Sequence, residues 1–177
     1  MKVAITGHTK GIGLEIVNFF TSKGADILGF SRASGYDIGK EEDRSKIIKE
    51  SKNCQIFVNN AWTIENNGQF HMLKSITSDW IGSNKIIINI GSRASDFTNN
   101  PNFPWKEYAK LKKEQDIFCQ SNHKGLWILN LKPGSVNTGM SANTNFLKIE
   151  PSTISDILDF ALINKDNFKI RSITFTK

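Results

Sequence analysis

Tyr108 and Lys112 stand four residues apart in the stretch "YAKLK". On a helix that spacing puts both side chains on one face. An ordinary tyrosine titrates near pH ~10, too high for efficient proton transfer at neutral pH. A neighbouring ammonium favours the phenolate, so Lys112 is expected to lower the pKa of Tyr108. Ser92, at the end of the apolar run "KIIINIGS", is a third group able to hydrogen-bond an oxygen that develops negative charge. An isolated Tyr-x-x-x-Lys pair is more often a solvated helix face. The scaffold around it decides which reading holds.

That scaffold begins with "TGHTKGIG", residues 6–13, in which three glycines follow the short apolar run "VAI". Beyond it Ile12, Ile16, Phe19 and Phe20 recur at helical spacing up to Lys23-Gly24, a stop signal. The glycines therefore lie at a strand-to-helix junction, where unsatisfied N–H groups and the helix dipole favour an anion. Gly7 allows a tight turn, Gly11 lets a pyrophosphate approach the main chain, and Gly13 lets the helix pack on the sheet. Further apolar runs at residues 26–31, 54–60, 85–91 and 126–132 read as strands, with a last one at 172–177. Most are apolar throughout, as strands buried on both faces of a parallel sheet are. Helical segments over about 40–51, 69–82, 105–122 and 151–163 fall between them. The alternation predicts one domain over residues 1–177, an α/β Rossmann-like doubly wound parallel sheet with helices on both faces. Ligands of such sheets bind at the carboxyl ends of the strands.

Composition narrows the function classes. A net charge of +6 and a pI near 9.3 would suit an acidic partner, but the lysines are scattered. No basic stripe with interleaved aromatics is present, so nucleic-acid binding is not expected. Cys54 and Cys119 lie in apolar surroundings and read as buried free thiols of a reducing compartment. Strand-like residues from Val3 onward leave no room for a signal peptide, and no apolar run approaches a membrane span. The expectation is a soluble cytoplasmic protein with no membrane partner. His8 and His71 have no second ligand at useful spacing, so no metal is expected.

The glycine spacing, Thr-Gly-x-x-x-Gly-Ile-Gly, differs from the Gly-x-Gly-x-x-Gly of other dinucleotide folds and resembles that of the short-chain dehydrogenase/reductase family. Four more stretches carry the resemblance in the same order. Asn59-Asn60-Ala61 closes what is the family's fourth strand, and "NIGS" ends its fifth at Ser92. Tyr108 and Lys112 match its Tyr-x-x-x-Lys, and "PGSVNT" matches its Pro-Gly-x-Val-x-Thr at Pro133, Gly134, Val136 and Thr138. The resemblance covers nearly the whole chain. It implies an NADP(H)-dependent oxidoreductase that interconverts a carbonyl and an alcohol of a small molecule. Nicotinamide would deliver hydride, Tyr108 would protonate the oxygen, Ser92 would stabilise it, and Lys112 would also hold ribose hydroxyls. Implied cofactor contacts are Gly7, Thr9, Lys10, Gly11, Ile12 and Gly13 in the glycine turn, and Asn59, Asn60, Ala61, Pro133, Gly134, Val136 and Thr138 elsewhere. Where NAD-selecting members carry a carboxylate after the second strand, this chain has Ser31 and Arg32, which with Lys10 suit a 2′-phosphate. Asp37 is then placed for the adenine amino group.

Several features depart from the family pattern. Its members are usually considerably longer, and the stretches before "CQIFVNN" and before "NIGS" each have room for about one helix. Trp62 stands where the family has glycine, and reads as a lid on a shortened core or as a stacking surface. The family's catalytic asparagine has no clear counterpart. Asn66 and Asn67 are the nearest candidates, an ordinary Asn-Gly turn being the alternative. Met140, Phe146, Phe97 and Trp105 are candidate apolar walls or core filling, and Arg93 is an acid-binding group or a surface arginine. Leu111, Phe118 and Cys119 lie at helical spacing and face either a partner, in a homodimer or higher homo-oligomer as the resemblance implies, or the sheet. The competing function is a dinucleotide-binding sensor or scaffold without catalysis. A dehydratase or epimerase with the same triad fits the glycine spacing less well.

Overall fold

Each apolar run expected as a strand becomes one, within two or three residues at its ends. The computed structural model describes residues 1–63 and 66–177. Its strands are β1 (Lys2–Thr6), β2 (Asp26–Phe30), β3 (Ile56–Asn59), β4 (Ile86–Ile90), β5 (Trp127–Pro133) and β6 (Ser172–Phe175). All pair in parallel, in the order β2-β1-β3-β4-β5-β6. Between them lie α1 (Gly11–Ser22), α2 (Glu41–Glu50), α3 (Gly68–Trp80), α4 (Lys106–Gln120) and α5 (Ser152–Ile163). No helix among the described residues is long and apolar enough to cross a membrane.

Alternate residues of each strand feed two separate cores. Ile16, Phe19 and Phe20 of α1 and Ile154, Leu158 and Ala161 of α5 cover Val3, Ile5, Ile88, Ile90 and Leu131 on one face. On the other, Ile47 of α2, Met72, Leu73, Ile76 and Trp80 of α3, and Cys119 of α4 cover Ala4, Phe57, Ile87 and Ile128. Cys54 and Cys119 are buried free thiols. This two-sided burial is why the strands carry no polar alternation.

The strand order reverses between β1 and β3, which opens a crevice at their carboxyl ends. Compared with the common six-strand order 3-2-1-4-5-6, the strand outside β2 is absent and β6 is added at the opposite side, so β2 and β6 are the edges. The shortened stretches explain the absent strand. Only α2 and two single 3-10 turns separate β2 from β3, and α3 is the helix that links β3 to β4.

A polar row crosses the sheet beneath α3 and α4. Asn59, Asn89 and Asn130 are register partners on adjacent strands and are wholly buried. Asn59 Nδ2 donates to Asn89 Oδ1 and Asn89 Nδ2 to Asn130 Oδ1, both at 2.8 Å. Asn130 Nδ2 continues to Asp116 Oδ1 of α4 at 3.0 Å. Lys132 closes the row, donating to Asp116 at 3.0 Å and Asp96 at 2.6 Å.

Candidate active site

β1 ends at Thr6 and the chain turns at Gly7, φ 70°, before α1 starts at Gly11, φ 57°. Both lie in the left-handed region that glycine enters without steric cost. Gly13 serves packing instead, since a Cβ there would stand 2.0 Å from the Gly7 carbonyl oxygen. The end of β3 staples this turn. Thr6 Oγ1 donates to the Val58 carbonyl and accepts from the N–H groups of Asn60 and Ala61 at 3.0 and 3.1 Å. Asn60 Nδ2 donates to the carbonyls of Thr6 and Gly7, each at 3.1 Å. Asn59 points the other way, into the polar row.

No side chain caps α1 and its first turn holds no acidic residue, so its N–H groups are open to an anion. Pro133 ends β5, Gly134 N–H donates to the Phe175 carbonyl at 2.8 Å, and Val136 is buried as a bridge to Ile149. These contacts direct Thr138 over the glycine turn, where a Cβ on Gly11 would meet Thr138 Cγ2 at 3.4 Å. Side-chain-free backbone and uncapped donors fit the phosphates of a dinucleotide, with Thr138 alongside them. Thr9 is exposed and Ile12 half-buried along this cradle.

Gly7 N–H donates to the Phe30 carbonyl at 2.7 Å, tying the turn to the end of β2. Ser31 and Ser34 then cap each other around the 3-10 turn Arg32–Ser34. Arg32 and Lys10 are exposed, and neither joins an ion pair among the described residues. The His8 ring lies against Gly29, whose Cβ would meet it at 2.5 Å, and His8 Nδ1 is buried with no hydrogen-bond partner among the described residues. Asp37 Oδ1 accepts from Gly39 N–H at 2.9 Å, so one carboxylate oxygen shapes its own loop.

Ser92 caps the 3-10 turn Arg93–Phe97 by accepting from Ala94 N–H at 3.1 Å, which leaves its hydroxyl hydrogen free to donate. Tyr108, near the start of α4, is half-buried, and Lys112 one turn later is only 3% exposed. Lys112 Nζ donates to Gln69 Oε1 at 2.5 Å and to the Ile90 carbonyl at 3.1 Å. It also lies 4.5 Å from the centre of the Trp62 ring. Trp62 in turn packs edge-on against Tyr108 at 5.1 Å, so the indole covers the pair.

The electrostatics correct the sequence expectation. Burial raises the Tyr108 phenol above its ordinary value, and the neighbouring Ser92 hydroxyl draws it part of the way back. Lys112 does not lower it. Burial pushes the Lys112 ammonium down to about 7, and its donors are committed to Gln69 and Ile90. A phenol held protonated at neutral pH is suited to giving a proton to a substrate oxygen, with Ser92 donating a second hydrogen bond to that oxygen.

The two candidates for the fourth polar position find partners outside the group of Ser92, Tyr108 and Lys112. Asn66 Nδ2 donates to the Gly39 carbonyl and Asn66 Oδ1 accepts from Thr63. Asn67 starts α3 in the left-handed region and reaches Glu114 at 3.4 Å. The Lys112 amine meets Gln69 instead. A signal for it lies in the sequence: Gln69 falls in the stripe Gln69, Met72, Leu73, Ile76, Trp80, so a polar side chain on that apolar face must find a buried partner.

Of the candidate apolar walls, Phe97 stacks on Phe103, Phe103 meets Trp105, and Trp105 meets Phe146 at 5.4 Å. This strip bridges the segment after Ser92 and the segment after Thr138. Met140 is 78% exposed and contributes no ring contact. Arg93 is held over Phe97 and donates to Thr176 at 3.4 Å.

Solved structures decide the fold. A 3-ketoacyl-(acyl-carrier-protein) reductase from Brucella melitensis, complexed with NADH, matches with a TM-score of 0.82 and 14% identity, over 99% of this chain and 96% of that one. The chain has the short-chain dehydrogenase/reductase fold. An alcohol dehydrogenase from Thermococcus sibiricus complexed with 5-hydroxy-NADP matches at 0.76 and 17% identity, over 99% of this chain and 96% of that one. A short chain dehydrogenase from Burkholderia cenocepacia J2315 in complex with NADP matches at 0.78 and 15%, over 98% of this chain and 87% of that one. No family model and no curated protein matches the sequence. On this short-chain dehydrogenase/reductase fold, the triad and the glycine turn both lie at the carboxyl ends of the strands.

Proposed function

We propose that the protein is an NADP(H)-dependent oxidoreductase that reduces the carbonyl of a small molecule with an apolar or aromatic body. The observation that carries this reading is the convergence of Ser92, Tyr108 and Lys112 behind β4, across the crevice from an uncapped glycine turn. A dinucleotide held in the glycine turn would supply hydride. Tyr108 gives its proton to the carbonyl oxygen while Ser92 donates a hydrogen bond to the charge that develops there. Gly7, Gly11 and Gly13 shape the phosphate cradle, and Arg32 with Lys10 offers two exposed cations to a 2′-phosphate. The aromatic strip from Phe97 to Phe146 supports the apolar substrate class.

One observation favours a second reading, that of a dinucleotide-binding protein with little turnover. The Lys112 amine is bonded to Gln69 and Ile90 and lies under Trp62, so a ribose reaches it only when the indole moves aside. Oxidation of NADPH against a panel of aldehydes, ketones and quinones separates the two. Turnover with any member supports the enzyme; tight NADPH binding without turnover across the panel supports the sensor.

The proposed assembly is a homodimer in the cytoplasm. Cys119 faces the sheet and Phe118 packs on Phe70 of α3, which leaves Leu111 half-buried and Ile117 58% exposed as the apolar groups of α4 available to a partner. Light scattering at micromolar concentration checks this, and a monomer there rejects it.

A further inference from the structure

We propose that Gln69 is the positioning residue of the site: its carboxamide holds the Lys112 amine at the end of β4, in register with Tyr108. The proposal rests on the oxidoreductase reading for its consequence, though not for its geometry.

Gln69 is wholly buried in the first turn of α3 and its carboxamide is bonded on both sides. Nε2 donates to the carbonyls of Asn59 and Ile90, both at 2.9 Å. Oε1 accepts from Lys112 Nζ, and from Gln115 Nε2 at 3.4 Å. The two strand-end carbonyls fix which way the amide is turned, because a flip would set oxygen against oxygen. Its carbonyl oxygen is therefore aimed at the amine by β3 and β4 themselves. The Asn59 side chain fixes the backbone beneath it by donating to the Gln69 main-chain carbonyl at 3.0 Å.

The choice of an amide matters. A neutral acceptor places the amine without giving it a counter-ion. The titratable groups facing the amine are Tyr108 and Cys119 of its own helix, and burial raises both above their ordinary values, so neither offers it a counter-ion at neutral pH. From α3, β4 and residue 62 it meets Gln69, the Ile90 carbonyl and Trp62, none of which titrates. The amine is thereby fixed in place yet remains easily deprotonated.

The experiment compares wild type, Gln69→Glu and Gln69→Leu. Lys112 reactivity toward trace acetic anhydride is followed by mass spectrometry across pH, alongside NADPH titration and turnover. Gln69→Glu keeps the size and replaces the amide that faces the Asn59 and Ile90 carbonyls with an acid, whose ionisation against the amine should raise the Lys112 midpoint by about one to three pH units. Gln69→Leu should lower kcat at least about tenfold with KM for the carbonyl little changed, the mark of a misplaced catalytic group. A Lys112 midpoint unmoved in folded Gln69→Glu overturns the proposal. If Gln69→Leu fails to fold, the near-isosteric Gln69→Glu still decides. Wild type that neither binds NADPH nor turns over removes the oxidoreductase reading, while the labelling midpoint continues to report on Gln69 alone.

Discussion

At the glycine turn the chain withholds side chains, leaves the first N–H groups of α1 uncapped, and exposes Lys10 and Arg32. At the other end of the crevice Ser92, Tyr108, Lys112 and Trp62 lie against one another, and the amine is already bonded. The first end offers donors that lack partners. The second offers an amine already held by Gln69 and Ile90 and covered by the Trp62 ring that a ligand must move aside. On the proposed function, affinity is governed mainly at the first end and turnover at the second, and substitutions should separate the two.

The sharpest separation comes from Tyr108→Phe, which should reduce turnover at least about a hundredfold while leaving NADPH affinity nearly intact. Because burial holds the phenol above its ordinary value, wild-type reduction should persist through neutral pH and fall as alkaline pH removes that proton. Wild-type turnover by the phenylalanine variant, on a verified substrate, would show that Tyr108 is not the acid.

Arg32→Asp acts on the opposite end. A charged hydrogen bond is worth about 1.5–3 kcal/mol, so NADPH affinity should drop roughly ten- to a hundredfold, with NADH much less affected. Titration of both cofactors into both proteins measures it. Equal wild-type affinities for NADPH and NADH would remove the 2′-phosphate assignment.

The smallest effect expected is that of Trp62→Leu. Removing a cation–π contact worth about 0.5–1 kcal/mol frees the Lys112 amine, so NADPH should bind about two- to fivefold more tightly. Weaker binding would instead make Trp62 a stacking surface for the cofactor and end the idea of a competing cover.

The two ends also differ in how far they could be read in advance. Glycine spacing records backbone geometry directly: Gly7 and Gly11 have positive φ, and Gly13 packs where a Cβ cannot. Apolar runs and helical spacing likewise located every strand and helix, because both follow from local periodicity. The triad was legible by residue type. Its bonding was not, since the partner of Lys112 comes from a helix 43 residues away in the chain. Asn66 and Asn67 drew attention as residues of the expected kind, while Gln69 owed its role to the face of α3 it occupies. The bond that Asp37 makes has a local reason, as a carboxylate two residues before a glycine can bond that backbone itself.

The asparagine row has a consequence for how the chain avoids misfolding. In β4 the residues Ile86, Ile87 and Ile88 are alike, and both faces of the strand are covered by apolar side chains. Sliding such a strand by one position would exchange isoleucine for isoleucine, so hydrophobic burial hardly opposes the error. It would also set Asn59 opposite Ile88 or Ile90 in place of Asn89. Each amide left buried without its partner costs about 1–3 kcal/mol. Three asparagines at matching heights thus act as a vernier: they admit one alignment of the middle strands and penalise its nearest neighbours. The same alignment brings the Ile90 carbonyl to the Lys112 amine.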